Sequence, residues 1–152
     1  MANQNRTAAG AQSKRAGAQW ERHVETYWLE PLRRAGYLLC WHKLEPRKAG
    51  AIYLAKAGAD YVACRLGGDY VAIEAKQTKH ARFARREVSD VQIAHLETVE
   101  HSYLALLLDG RLFLMPWRQV PWVTVRSAQT IRAQDCARWE IHDLYDVQRI
   151  IG

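Results

Sequence analysis

The sequence predicts one α/β domain, a mixed sheet with helices packed on it, and three observations carry that prediction. Apolar residues recur at helical spacing early in the chain, at Trp20, Val24, Tyr27 and Trp28. Two pairs of β-rich runs are each joined by a turn signal, Gly67-Gly68-Asp69 and Asp109-Gly110. A capped helix separates the two pairs, so the order is helix, strands, helix, strands. With 152 residues, 49% of them hydrophobic, the chain fits a single core.

Residues 1–16 are small, polar and basic without periodicity, and read as a flexible basic tail; 17–152 read as the folded domain. The first helix starts at Gly17 and ends or kinks at Pro31. The run 37–41 (YLLCW) is a first strand, and 42–58 is a basic, Gly- and Pro-containing surface excursion. Residues 60–66 and 70–77 form the first hairpin. Ser89-Asp90-Val91-Gln92 matches a capping box and opens a helix with Ile93, Leu96 and Val99 on one side. Residues 103–108 and 111–115 form the second hairpin. Beyond Pro116, 122–125 and 138–141 read as short strands and 143–151 as a last helix.

No apolar run approaches the ~20 residues of a membrane span, and the N-terminus has no signal-peptide stretch, so a soluble, cytoplasmic protein with no membrane partner is expected. Cys40, Cys64 and Cys136 form no Cys-x-x-Cys pair and read as small buried side chains. The six Trp read mainly as core, with Trp41, Trp117 or Trp122 available to an interface. The net charge of +6 favours a polyanionic partner. Basic residues concentrate where acids are missing: Lys14 and Arg15 in the tail, and Lys79, Arg82, Arg85 and Arg86 after the second strand of the first hairpin. The excursion adds Arg47, Lys48 and Lys56.

The chemistry lies in "YVAIEAKQ". By alternation Val71, Ile73 and Ala75 face one way while Ala72, Glu74 and Lys76 face the other. A core strand has no reason to carry a carboxylate and an ammonium, because burying an unpaired charge is costly. A hard cation such as Mg²⁺ takes one or two carboxylates from protein, with waters and a substrate phosphate filling its octahedron. An adjacent Lys suits an attacking water and the charge growing on phosphate. Asp60 on the partner strand is the natural second carboxylate, provided the hairpin has the right parity. A two-residue turn sets Asp60 opposite Ala75 on the wrong face; a three-residue loop, 67–69, sets it opposite Lys76, beside Glu74.

This Asp, then Glu-x-Lys, arrangement resembles the core of the PD-(D/E)xK nuclease superfamily. "AGAQWERHVETYWLEPLRRAGY" is similar to the first helix of archaeal Hjc-type Holliday junction resolvases, whose active-site glutamate matches Glu21; Glu25, one turn on, is the rival position. "YVAIEAKQTK" and "VSDVQIAHL" are also similar to bacterial RecU resolvases, with supporting roles for Gln77 and for the pair Gln92 and His95. The resemblance covers roughly residues 17–117, and 118–152 match nothing in it. It implies a restriction-endonuclease-like core and a Mg²⁺-dependent endodeoxyribonuclease, with Mn²⁺ as a substitute, in a bacterial, archaeal or phage setting. Asp60, Glu74 and the Ala75 carbonyl would bind the ion, Glu21 would complete or position its hydrated shell, and Lys76 would serve the water. It further implies a homodimer cutting four-way junctions, with the basic segments on the DNA arms. Two other readings share these residues: a repair nickase, flap or restriction-like endonuclease, and a non-catalytic DNA-binding relative.

Overall fold

The computed structural model of the chain describes residues 2–45, 48–49, 52–53, 58–124 and 129–152. Its centre is a five-stranded mixed sheet in the order β1-β4-β5-β7-β8, formed by β1 (Leu38–Lys43), β4 (Tyr61–Arg65), β5 (Tyr70–Thr78), β7 (His101–Leu108) and β8 (Arg111–Pro116). All neighbours are antiparallel except β5 and β7, which are joined through α3 (Asp90–Thr98) and run parallel. That crossover places a helix over the middle of the sheet, as a parallel pair requires.

Helix α1 (Ala2–His23) continues through a π-helical segment, Val24–Leu29, into α2 (Glu30–Arg34). The spacing explains the π segment. Trp20, Val24, Trp28 and Leu32 step by four residues, and each step overshoots an α-helical turn by about 40°. Under-winding between Val24 and Leu29, where the Glu30 N–H reaches back to the Glu25 carbonyl, keeps Val24, Trp28, Leu29 and Leu32 all buried. It also turns Tyr27 outward to 62% exposure, correcting its place on the apolar stripe. The helix begins at Ala2 rather than Gly17. Ala-rich sequence favours helix without an apolar stripe, and residues 10–15 are exposed, so periodicity gave no sign of it.

This helical arm, with α5 (Leu144–Ile151), covers one sheet face, where Trp20, Val24 and Trp28 pack with Tyr61, Ile73, Tyr103 and Val147. On the other face α3 and the C-terminal segments enclose Ala72, Leu104, Leu106, Phe113, Trp117 and Trp122. Trp117 and Trp122 are therefore core residues, while Trp41 and Trp139 are half-buried. Asp109 (φ 53) and Gly110 (φ 71) make the two-residue turn that their sequence predicts.

Several expectations are corrected. The excursion contains a small ladder, β2 (Lys48–Ala49) with β3 (Ile52–Tyr53). Residues 121–124 are helical (α4, Pro121–Thr124), and Ala133–Trp139 is a 3₁₀ helix, so neither expected C-terminal strand forms; the short strands present are β6 (Phe83–Ala84) and β9 (Thr130–Ile131). Short apolar runs do not distinguish strand from helix. Of the cysteines only Cys136 is buried; Cys40 is exposed and Cys64 half-buried, on the end strand β1 and its neighbour β4. Among the described residues no helix is long and apolar enough to cross a membrane.

Candidate active site

The first hairpin sets the site. Its loop is Leu66-Gly67-Gly68, one residue earlier than the sequence suggests: Arg65 N–H bonds the Asp69 carbonyl at 2.9 Å, and Gly68 takes the positive φ (88°) that such a three-residue loop needs. Parity is as required, but the register moves by two. Tyr61 pairs with Ile73, so Asp60, the next residue outward, falls opposite Glu74 rather than Lys76. The two carboxylates are thereby cross-strand neighbours on one face.

The ladder ends at this point, and Asp60 takes over its work. The Ala75 N–H, which a longer β4 would have bonded through its backbone, donates to Asp60 Oδ2 at 2.8 Å. In a hydrogen-bonded antiparallel pair, N–H and C=O of one residue point the same way. The Ala75 carbonyl therefore faces the side on which Asp60 sits.

Glu74 is fully buried, and Asp60 is 5% exposed. Glu74 Oε1 accepts from Lys76 Nζ at 2.9 Å and from Gln92 Nε2 at 2.5 Å. Gln92 can aim its amide because the capping box fixes it: its Oε1 accepts from the Ser89 N–H at 3.0 Å while Ser89 Oγ accepts from the Gln92 N–H. The helix cap thus orients the donor on Glu74. His95, one turn along, packs its ring against Gly58, where a Cβ would lie 3.1 Å from the ring, and its Nε2 is buried without a partner among the described residues.

Burial, and then the neighbouring Asp60 carboxylate, push the Glu74 pKa up to about 8, against the pull of Lys76. Glu74 Oε2 has no hydrogen-bond partner among the described residues. A buried acidic pair with an orphaned Glu74 oxygen offers the hard oxygen donors that a divalent cation takes. No group of three or more His, Cys, Asp or Glu side chains that would hold a metal is gathered among the described residues.

Glu21 pairs with a lysine of the edge strand. Lys43 Nζ on β1 binds Glu21 Oε2 at 2.8 Å and Glu25 Oε1 at 3.0 Å. The buried Tyr61 hydroxyl lies 2.9 Å from Glu25 Oε1 and 3.1 Å from the Glu21 carbonyl. Burial works against the charge on Lys43, but the two glutamates outweigh it and hold its pKa up. Both candidate helix carboxylates are therefore tied to one lysine. Sequence reading missed Lys43 and Tyr61, whose meeting depends on the pairing Lys43 with Tyr61 between β1 and β4.

Gln77 lies beyond Lys76 and lines, with Gln12 and Ser13 of α1, a cleft of about 330 Å³. Lys14, Arg15, Lys79, Arg82 and Arg86 are exposed and Arg85 half-buried, and none forms an ion pair among the described residues. Arg47, Lys56 and the Lys48 side chain lie outside the described residues.

No family model matches the sequence, and no curated protein matches it. Among solved structures the chain is similar to Hjc, a Holliday junction resolvase from the archaeal hyperthermophile Archaeoglobus fulgidus, with a TM-score of 0.53 and 22% identity over 86% of this chain and 99% of that one. The two proteins share a fold. At this identity the likeness speaks for the architecture, an α/β core with a central mixed sheet flanked by helices, consistent with a restriction-endonuclease-like core.

Proposed function

We propose that the protein is a structure-selective DNA endonuclease that hydrolyses phosphodiester bonds in four-way junctions with Mg²⁺. The observation that carries this reading is the buried pair Asp60 and Glu74, side by side across β4 and β5 with Lys76 on Glu74, in a fold shared with a Holliday junction resolvase. Asp60, Glu74 and the Ala75 carbonyl would hold the ion, and Glu21 would serve its hydrated shell. A bound ion would supply positive charge beside the acidic pair and the polarisation of a phosphate oxygen. Lys76 orients the attacking water and offsets negative charge growing on the phosphate. Gln92 keeps Glu74 aimed. A homodimer with two-fold symmetry suits a junction of approximate two-fold symmetry.

Cleavage of a synthetic four-way junction, assayed beside linear duplex and flap DNA, tests the substrate. Preferential junction cutting is expected; equal or better cutting of flap or duplex moves the protein to another endonuclease class.

Lys76→Ala is expected to lower turnover on the order of 10²-fold with little change in junction affinity, since its work is done in the transition state. Equal losses in single-turnover rate and equilibrium binding would make Lys76 a phosphate anchor instead. Replacing Arg82, Arg85 and Arg86 by Ala is expected to weaken binding to every DNA form. It should also flatten the log-log salt dependence by up to about 0.9 per lost phosphate contact. A salt titration with an unchanged slope would remove these side chains from the DNA surface.

A further inference from the structure

Cys40 and Cys64 are register partners across the antiparallel pair of β1 and β4, and so project from the same face of the sheet. The type of pairing follows from the ladder beside them. The Leu44 N–H bonds the Asp60 carbonyl at 2.8 Å, and hydrogen-bonded pairs recur at every second residue. Cys40 and Cys64, two such steps along, form a hydrogen-bonded pair with Cα atoms about 5.5 Å apart. That separation lies inside the Cα range a disulfide spans, roughly 4.4–6.8 Å, while the Cβ atoms of a hydrogen-bonded pair, about 5.5 Å apart, must close to about 4.5 Å, which makes the bond strained and readily reduced. A register irregularity between Leu38 and Cys40 bends β1 beside the pair.

The two thiols differ in access in the way a sequential exchange needs. Cys40 is exposed on an edge strand, and Cys64 is half-buried beside it with its Sγ resting 3.6 Å from the Arg65 carbonyl. Cys136 is buried in the core cluster on the sheet face covered by α3, where burial pushes its thiol up to about 12.

We propose that Cys40 and Cys64 are a redox pair that a low-molecular-weight disulfide converts into a cross-strand disulfide. The Cys40 thiolate attacks one sulfur of the oxidant, forming a mixed disulfide and releasing one small thiol. Cys64 then attacks the Cys40 sulfur and releases the second. Two electrons pass from the protein to the oxidant, whose S–S bond is reduced to two thiols carrying the two protons lost by the cysteines. The new bond ties edge strand β1 to β4 and closes a loop of about 25 residues. Lys43 and Asp60 both lie inside that loop.

The test incubates the full chain with excess oxidised glutathione and follows intact mass, peptide mapping and thermal unfolding. The expected product is lighter than the reduced chain by two hydrogens, has Cys40 and Cys64 in one cross-linked peptide pair, and keeps one thiol, Cys136, that titrates only after denaturation. Its Tm is expected to rise on the order of 5 °C and to fall back on reduction. In Cys64→Ser the reaction is expected to stop at a glutathione adduct on Cys40 without the gain in Tm. A stable glutathione adduct on Cys40 of the unaltered chain, three persistent free thiols, or a link to Cys136 or to another chain would each overturn the proposal.

Discussion

Asp60→Asn and Glu74→Gln are each expected to abolish junction cleavage, with a loss on the order of 10²–10³-fold or more, while junction binding in Ca²⁺ or EDTA persists. The asymmetry follows from where charge resides. Asp60 and Glu74 are buried between strands, 5% and 0% exposed, whereas Lys79, Arg82 and Arg86 are exposed. Removing a carboxylate deletes a ligand for the ion without deleting a phosphate contact. Asp60 also accepts the Ala75 N–H at 2.8 Å, a role the side-chain oxygen of asparagine retains, so the substitution separates charge from scaffold. A variant that cuts at near the unaltered rate, in parallel cleavage and gel-shift measurements, would remove that residue from the site.

The second large effect is on stability against pH. Burial and Asp60 raise the folded-state pKa of Glu74 to about 8, far above its value in an unfolded chain, near 4.3. The folded protein therefore holds a proton that the unfolded chain releases, and the sign follows: without divalent ions, the contribution of Glu74 to stability is greatest in acid and falls as pH rises from about 4.5 to about 8. The upper limit of that loss is about 5 kcal/mol from this group, reduced by relaxation around the coupled Asp60. Glu74→Gln is expected to flatten the dependence and to be more stable than the unaltered protein at pH 8 in EDTA. Divalent ions should stabilise the unaltered protein more at pH 8 than at pH 6, since ion and proton compete for one carboxylate, and should lose this effect in Glu74→Gln. Thermal unfolding across pH, with and without Ca²⁺, reads all of these. A pH profile that Glu74→Gln leaves unchanged would contradict the burial argument.

Features fixed by neighbouring residues were legible in the sequence. The Asp109-Gly110 turn, the Ser89 and Gln92 capping box, and the shared face of Glu74 and Lys76 all depend on contacts within a few positions. The hairpin loop was legible in parity but not in position. Choosing between Gly68 and Asp69 as the end of the loop moved Asp60 from opposite Lys76 to opposite Glu74, a shift that alternation alone does not resolve because both registers keep the same face.

What pairing between distant elements decides was not legible. Lys43 meets Glu21 and Glu25 only because β1 pairs with β4 and the π segment turns the helix above them. The full burial of Glu74 depends on α3 closing over the sheet, and Gln92 reaches it through a cap that also reads as an ordinary helix start. Cys40 and Cys64, 24 positions apart in sequence, became partners for the same reason.

The claim that Asp60 and Glu74 share one divalent ion is tested most directly by anomalous diffraction from crystals of the protein soaked in Mn²⁺. A single strong peak between the two carboxylates, within coordination distance of an oxygen of each and of the Ala75 carbonyl, is the expected result. A peak on Glu74 alone, a peak confined to Glu21 and Glu25, or no peak at either place at a concentration that supports cleavage would contradict it.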